Sequence, residues 1–205
     1  MINIIGIGPG SVDLLTFKAS NVLKESLCII GTDRQLDILK DIDHKATLMR
    51  YSGNLDELYE ILVDSLAKYS EISLLASGDP NFYGISEWVK RSFLGIIINS
   101  YSGISSVQAL FSALGLPMHN VYLTSVHGRE PDWTLWMTLE RIGILTDRIW
   151  TPQAIAKKIL EMGYNPRIHI GEKLTYKDQC LTSCFASEVP NKKYEMCVVV
   201  IENER

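Results

Sequence analysis

The first twenty-five residues constrain the fold more than any other stretch. Ile2 to Ile7 is an unbroken apolar run of strand length that breaks into Gly6-Ile7-Gly8-Pro9-Gly10, with a helix-period segment, Thr16 to Lys24, soon after. Strand, glycine turn and helix make the first half of a βαβ unit. Its strands are covered on both faces, so they read as continuous apolar runs rather than alternating ones. The pattern recurs. Ser26 to Ile30 reads as a strand and Asp33 to Leu39 as a helix, with a short strand at Thr47 to Tyr51. Leu55 to Tyr69 reads as an amphipathic helix with Leu55, Leu58, Leu62 and Leu66 on one face. Ile72 to Ala76 is a buried strand, Ser86 to Phe93 a helix and Gly95 to Ser100 a strand. Ser105 to Leu114 is a helix stopped by Gly115, with Pro117 beyond it.

The pattern then changes. Asn120 to Val126 and Arg141 to Leu145 are strand candidates around a helical Asp132 to Leu139, and Thr151 to Met162 is a helix with Pro152 in its first turn. Arg167 to Gly171, Gln179 to Ser183 and Glu195 to Glu202 are strands joined by short connections, which suits a mixed or antiparallel sheet. The expected fold is α/β with two subdomains, residues 1–116 around a largely parallel sheet and 117–205 around a mixed one. A hinge around Leu116 to Asn120 would leave a cleft between them as the binding site.

Net charge is −4, with Lys and Arg scattered singly, so no nucleic-acid footprint is present; a local basic pocket for a polyanionic small molecule stays open. Cys180 and Cys184 have no matching second pair and no histidine at ligand spacing, which with Cys28 and Cys197 reads as buried thiols in a reducing compartment. His44, His119 and His169 are isolated from one another, and no metal site is expected. No basic leader precedes the first strand, and no apolar stretch approaches the roughly 18 residues of a membrane span, so a cytoplasmic protein is expected.

Three strand-to-helix loops carry the candidate chemistry. Gly6-Ile7-Gly8-Pro9-Gly10 is not a G-x-G-x-x-G fingerprint, because Pro9 stiffens it and no third glycine falls at the required spacing; a plain tight turn explains it as well as a ligand does. In Ser77-Gly78-Asp79-Pro80, Asp79 can accept hydrogen bonds from a ligand or close an Asx-turn before Pro80. Phe82 and Tyr83, followed by Gly84, offer aromatic surface or core. In Ser102-Gly103-Ile104-Ser105-Ser106 a serine can cap the next helix. All three loops lie at the C-terminal ends of parallel strands, where open α/β sheets place ligands.

Ile4-Ile5-Gly6-Ile7-Gly8-Pro9-Gly10 with Leu14-Leu15-Thr16, the Gly78-Asp79-Pro80 loop and Gly103-Ile104-Ser105-Ser106 together resemble the tetrapyrrole methylases, which use S-adenosylmethionine (SAM). Ser102 stands where that family usually has proline, which would loosen the turn. Gly31-Thr32-Asp33-Arg34-Gln35-Leu36, Leu75 to Ile85, Ile104 to Gln108, Ser125-Val126-His127-Gly128-Arg129, Thr151 to Ala156 and Gly171 to Tyr176 are similar to the branch that methylates C5 of precorrins and cobalt-precorrins. Lys177 replaces a proline of that branch between Tyr176 and Asp178.

The resemblance implies SAM contacts at Pro9, Ser77, Gly78, Asp79, Phe82, Tyr83, Ser105 and Ser106, and near Thr146 and Gly171. It also implies that His127 and Arg129 meet substrate carboxylates, for which a guanidinium is suited. It implies a homodimer, no single essential acid or base, and a precorrin or cobalt-precorrin substrate. Because the sequence stops at Arg205 directly after a strand, the coupled C15 methylation and decarboxylation is expected from a separate protein. Another ring position, the uroporphyrinogen or diphthamide reactions, and a SAM-binding module without turnover are the competing readings.

Overall fold

The computed structural model describes residues 1–203. The chain divides into two compact units, Met1–Ser105 and a second beginning at Ser106.

The first unit contains β1 (Ile2–Gly6), α1 (Phe17–Glu25), β2 (Cys28–Gly31), α2 (Asp33–Leu36), β3 (Thr47–Arg50), α3 (Leu55–Lys68), β4 (Ile72–Ala76), α4 (Ser86–Ser92) and β5 (Ile98–Tyr101). The strands form one sheet in the order β3-β2-β4-β1-β5, every pairing parallel. Successive side chains of a strand point to opposite faces, and both faces are covered. Ile2, Ile4, Ile30, Ile72 and Leu74 pack under Leu58 and Leu62 of α3 and Val89 of α4. Ile5, Ile29 and Leu75 pack under Ala19 and Leu23 of α1 and Leu36 of α2. Helix starts follow local chemistry. The Thr16 hydroxyl accepts from the Ala19 N–H at 3.2 Å, and the Asn54 side-chain oxygen accepts from Asp56 and Glu57.

Two details differ from the sequence reading. The buried face of α3 is Leu58, Leu62 and Ser65, while Leu55 is 41% exposed. Ser65 takes a core position beside the buried Cys28 thiol, a polar neighbour for its hydroxyl. The fifth strand starts at Ile98 rather than Gly95, which has φ +84° and turns the chain before pairing begins.

The second unit contains α5 (Ser106–Leu114), β6 (Val121–Ser125), α6 (Trp133–Trp136), β7 (Arg141–Leu145), α7 (Pro152–Glu161), β8 (Arg167–Glu172), β9 (Cys180–Phe185) and β10 (Cys197–Glu202). Its sheet has the order β6-β7-β10-β8-β9. Only β6 and β7 are parallel, so the sheet is mixed. The last strand of the chain is inserted between β7 and β8. Ile155 and Ile159 of α7 cover Ile142, Ile144, Ile168, Ile170, Val199 and Ile201. On the opposite face α5 lies so close that a Cβ at Gly143 would stand 2.6 Å from Val107 Cγ1, and one at Gly171 would stand 2.9 Å from Leu110 Cδ1. Thus α5, which continues the βα alternation in sequence, packs on the second sheet. The helix expected over Asp132 to Leu139 contracts to one turn, started by the Asp132 carboxylate accepting from Leu135 N–H.

Of the four thiols expected to be buried, only Cys28 is; Cys180 is exposed and Cys184 and Cys197 are partly covered. Cys180 and Cys184 sit on β9, an edge strand, which has a neighbour on one side only. Among the described residues no helix is long and apolar enough to cross a membrane.

A polar network ties four strands of the second sheet. The Glu202 carboxylate accepts from Arg141 Nε at 2.7 Å and pairs with His169 Nε2 at 3.0 Å, and His169 Nδ1 bonds Ser183 Oγ at 2.8 Å. Burial works to raise the Glu202 pKa, but the hydrogen bonds from Arg141 and His169 outweigh it and hold the carboxyl below its ordinary range. A group depressed in this way stabilises the fold above its unfolded pKa, and that contribution is lost as pH falls through the folded value. Glu202→Gln is therefore expected to cost roughly 1–2 kcal/mol near neutral pH and to cost progressively less in acid. Urea titrations across the acid range measure this, and a penalty that stays constant with pH would refute the assignment.

Candidate functional site

The three glycine loops meet at one end of the parallel sheet. Gly8 and Gly78 form an antiparallel bridge, Gly78 N–H donating to Gly8 O at 2.8 Å and Gly8 N–H to Gly78 O at 3.3 Å. Both have positive φ, +73° and +65°, where a side chain would be strained. The third loop is pressed against this bridge. A Cβ on Gly103 would lie 2.1 Å from Gly78 O, and one on Gly6 would lie 2.5 Å from Gly103 N. Thr16, the cap of α1, also donates to Ser102 O at 3.3 Å. Gly6 and Gly103 are thus required by contacts between loops, and Gly78 by its positive φ.

Each expected site residue of this unit can now be placed. Pro9 follows the Gly8 bridge and is half-buried. Ser77 is exposed at the end of β4, and its hydroxyl oxygen accepts from the Arg34 guanidinium at 2.8 Å and the Gln35 amide at 3.2 Å. Those two bonds occupy both lone pairs, which leaves the hydroxyl proton as what Ser77 can offer a ligand. The Gln35 amide is oriented by Thr32 N–H donating to its Oε1 at 2.9 Å. Neither Arg34 nor Gln35 received a role from the sequence, where only their place in the Gly31 to Leu36 motif signalled them.

Asp79 accepts the N–H of Asn81 at Oδ1 (2.8 Å), the Asx-turn bond, and the N–H of Gly103 at Oδ2 (3.2 Å). Phe82 and Tyr83 stack edge to face with centroids 5.2 Å apart, and Tyr83 is exposed with φ +51°. A non-glycine residue at positive φ is uncommon and marks a locally constrained backbone. Gly84 permits that turn, since its Cβ would fall 2.5 Å from Pro80 O. Ser105 is buried, with its Cα 3.5 Å from where a Gly78 Cβ would be, and Ser106 opens α5.

In the second unit the expected residues gather at one end of the mixed sheet. Ser125, Leu145, Val198, Gly171 and Leu181 lie in one register row across all five strands. His127 and Arg129 are exposed in the turn just past Ser125. His127 N–H bonds Ser125 Oγ at 3.2 Å, Arg129 N–H bonds Val126 O at 3.2 Å, and Gly128 has φ +61°. Thr146, one residue past the row, is buried and donates its hydroxyl to Cys197 O at 2.5 Å, so it has its backbone rather than that proton to offer. Gly171 is buried within β8 and paired on both sides. The segment after it is constrained: Lys173 and Thr175 have φ of +47° and +72°, held by Lys173 N–H to Met196 O at 3.1 Å and by Thr175 N–H to Gln179 Oε1 at 2.7 Å. Glu172, buried, is paired with Lys192 at 2.5 Å.

Comparison with known proteins is consistent across sequence and structure. The model of the tetrapyrrole (corrin/porphyrin) methylases matches residues 1–190. A cobalt-precorrin-7 C(5)-methyltransferase of Salmonella typhimurium is 30% identical over 100% of both chains. A protein of Methanocaldococcus jannaschii described as a probable cobalt-precorrin-7 C(5)-methyltransferase is 29% identical over 98% of this chain and 97% of its own. Among solved structures, the precorrin-6Y methylase of Archaeoglobus fulgidus superposes with TM-score 0.76 at 21% identity, covering 100% of this chain and 99% of that one. The uroporphyrin-III C-methyl transferase of Thermus thermophilus, crystallised with S-adenosyl homocysteine, superposes with TM-score 0.82 at 20% identity over 98% and 96%. The three-loop rim therefore has a family to which it can be assigned: this chain belongs to the tetrapyrrole (corrin/porphyrin) methylases.

Proposed function

We propose that this chain is a SAM-dependent C-methyltransferase of corrin assembly, acting at C5 of cobalt-precorrin-7. The observation that carries the reading is end-to-end similarity to a Salmonella enzyme named for that reaction, with 100% of each chain covered. The first-unit rim suits a nucleoside bearing an amino acid. Ser77 has a proton to donate to a carboxylate or ribose oxygen, Asp79 retains acceptor capacity beyond its two backbone bonds, and Phe82 and Tyr83 supply aromatic surface. Pro9, Gly78, Ser105 and Ser106 border the same loops and complete the cofactor set, with the backbone near Thr146 and Gly171.

When bound, SAM would supply a sulfonium methyl group to in-line attack by an electron-rich ring carbon, the C–S bond breaking as the C–C bond forms and the neutral thioether leaving. Such a transfer is accelerated by alignment and by exclusion of water, so the contribution of this chain is positional. Rigid loops serve that role: glycine contacts and Asp79 lock the rim. Arg129 and His127 are assigned to peripheral carboxylates of the macrocycle, Arg129 by a bidentate ion pair. On the same reading the enzyme is cytoplasmic and dimeric, and a separate enzyme carries out C15 methylation with decarboxylation.

Incubation with methyl-labelled SAM and cobalt-precorrin-7, followed by NMR location of the label, tests the assignment. A new methyl at C5 is expected, and a methyl at any other carbon, or none, overturns it. In the same assay Arg129→Ala is expected to raise the KM for the macrocycle by about tenfold or more while SAM affinity holds. Equal effects on both would remove Arg129 from the substrate.

A further inference from the structure

Asp79 looks at first like a ligand acceptor, because an acidic side chain stands in a glycine-bearing loop at a strand end. Its geometry says more. Each carboxylate oxygen already receives a backbone N–H, one from Asn81 within its own loop and one from Gly103 in the third loop. Gly103 is also where the three loops are packed most tightly, between Gly6 and Gly78 O. Its N–H points out of that junction to Asp79. Two residues on, the buried Ser105 lies against the Gly78 backbone. The carboxylate therefore fastens the third loop to the second at the point from which Ser105 is presented.

We propose that Asp79 is a positioning residue, which supports SAM binding by holding the Gly103-Ile104-Ser105 segment in place rather than chiefly by touching the cofactor. The inference rests on the cofactor reading above and deepens it. A carboxylate suits the task because it is acceptor-only and can serve two N–H donors at once. An amide of the same size cannot: Asp79→Asn keeps one acceptor oxygen and turns an NH2 group toward the second donor. Asp79→Ala removes both acceptors. A residue that merely contacted ligand would leave the ligand-free loop unchanged on substitution, and a residue that merely supported the fold would leave the SAM affinity of the folded protein unchanged.

The experiment measures two quantities on the full chain: amide hydrogen exchange across residues 101–106 without ligand, and SAM affinity by calorimetry. In wild-type protein the Gly103 amide is expected to be protected. In Asp79→Asn and Asp79→Ala its protection is expected to fall, and SAM affinity to weaken by about tenfold or more wherever it does, the two changing in proportion. Asn is nearly isosteric with Asp, so that variant keeps the test informative should the alanine variant fold poorly. SAM affinity lost while Gly103 protection is retained would overturn the proposal in favour of direct contact. Protection lost with affinity unchanged would overturn it too. Wild-type protein that binds no SAM would sink the cofactor reading instead, and the exchange measurement would still decide whether Asp79 holds the loop.

Discussion

Gly103→Ala is expected to lower stability by about 3 kcal/mol or more and to abolish measurable SAM binding. The added Cβ would sit 2.1 Å from Gly78 O, 2.8 Å from Gly6 C and 3.0 Å from Gly6 Cα. All three obstacles are backbone, so no rotamer change relieves them; two strand ends and the bridge between Gly8 and Gly78 must move. Gly143 supplies the contrast. A Cβ there would meet Val107 Cγ1 at 2.6 Å and Leu123 Cδ2 at 3.0 Å, both side-chain rather than backbone atoms, and Gly143→Ala should cost about 1–3 kcal/mol. For a chain of this length 3 kcal/mol is roughly 6–12 °C in melting temperature. Calorimetric melts and SAM titrations of the two variants make the comparison. A Gly103→Ala protein that melts within a degree or two of wild type and binds SAM normally would show that the rim loops are not locked by glycine contact.

That expectation could not have been written from the sequence, although the loops were visible there. Periodicity and turn chemistry are local, and the locally determined features match closely. Ile72–Ala76 and Arg141–Leu145 have the strand limits expected of them, and the helices expected from about Thr16, Leu55 and Thr151 start within a residue of those positions, capped by Thr16, Asn54 and Thr151. Whatever depends on a partner far along the chain was hidden. The Gly103 N–H to Asp79 bond joins residues 24 apart, and the two donors to Ser77 come from more than 40 residues upstream. The insertion of β10 between β7 and β8 is equally non-local, since a run of Val and Ile says that a strand is buried without saying beside which neighbours. On α3, Leu58, Leu62 and Leu66 face the core as expected while Leu55 does not, and the buried Ser65 looks like a surface residue until its place beside Cys28 of β2 is known.

The site shows the same division. The identity of the loop residues carried the family resemblance: close backbone contacts demand glycine at Gly6 and Gly103, positive φ favours it at Gly78, and two backbone donors suit the carboxylate of Asp79. Which of them face a ligand was not legible, and the structure reassigns some of that chemistry inward. Thr146 gives its hydroxyl proton to Cys197, Asp79 gives two acceptor sites to backbone, and Ser77 is left with a proton to donate. A sequence motif reports that a residue is needed, and the hydrogen-bond partners report for what.

The tryptophans make the second large prediction. Trp133, Trp136 and Trp150 lie together in the second unit, and their burial separates them. Trp136 is 2% exposed inside the second core, with Trp133 edge-on to it at 5.0 Å and Trp150 edge-on to Trp133 at 4.9 Å. The single helical turn that carries it has too few internal hydrogen bonds to hold its own shape. Its backbone is instead tied down by Asp132 at one end and by Asn203, which donates to the carbonyls of Trp136 and Leu139 at 2.8 and 2.6 Å. The buried indole is thus the main apolar anchor of this segment. Trp136→Ala is expected to cost about 3–5 kcal/mol, a large fraction of the roughly 5–15 kcal/mol that holds a typical domain folded. Trp133→Ala, at a partly buried position, should cost less. Were Trp136 a ligand platform, its loss would instead reduce binding with little change in urea midpoint. Equilibrium unfolding of both variants, read beside SAM affinity, distinguishes the two, and a Trp136→Ala protein as stable as wild type would leave the second core without the anchor assigned to it.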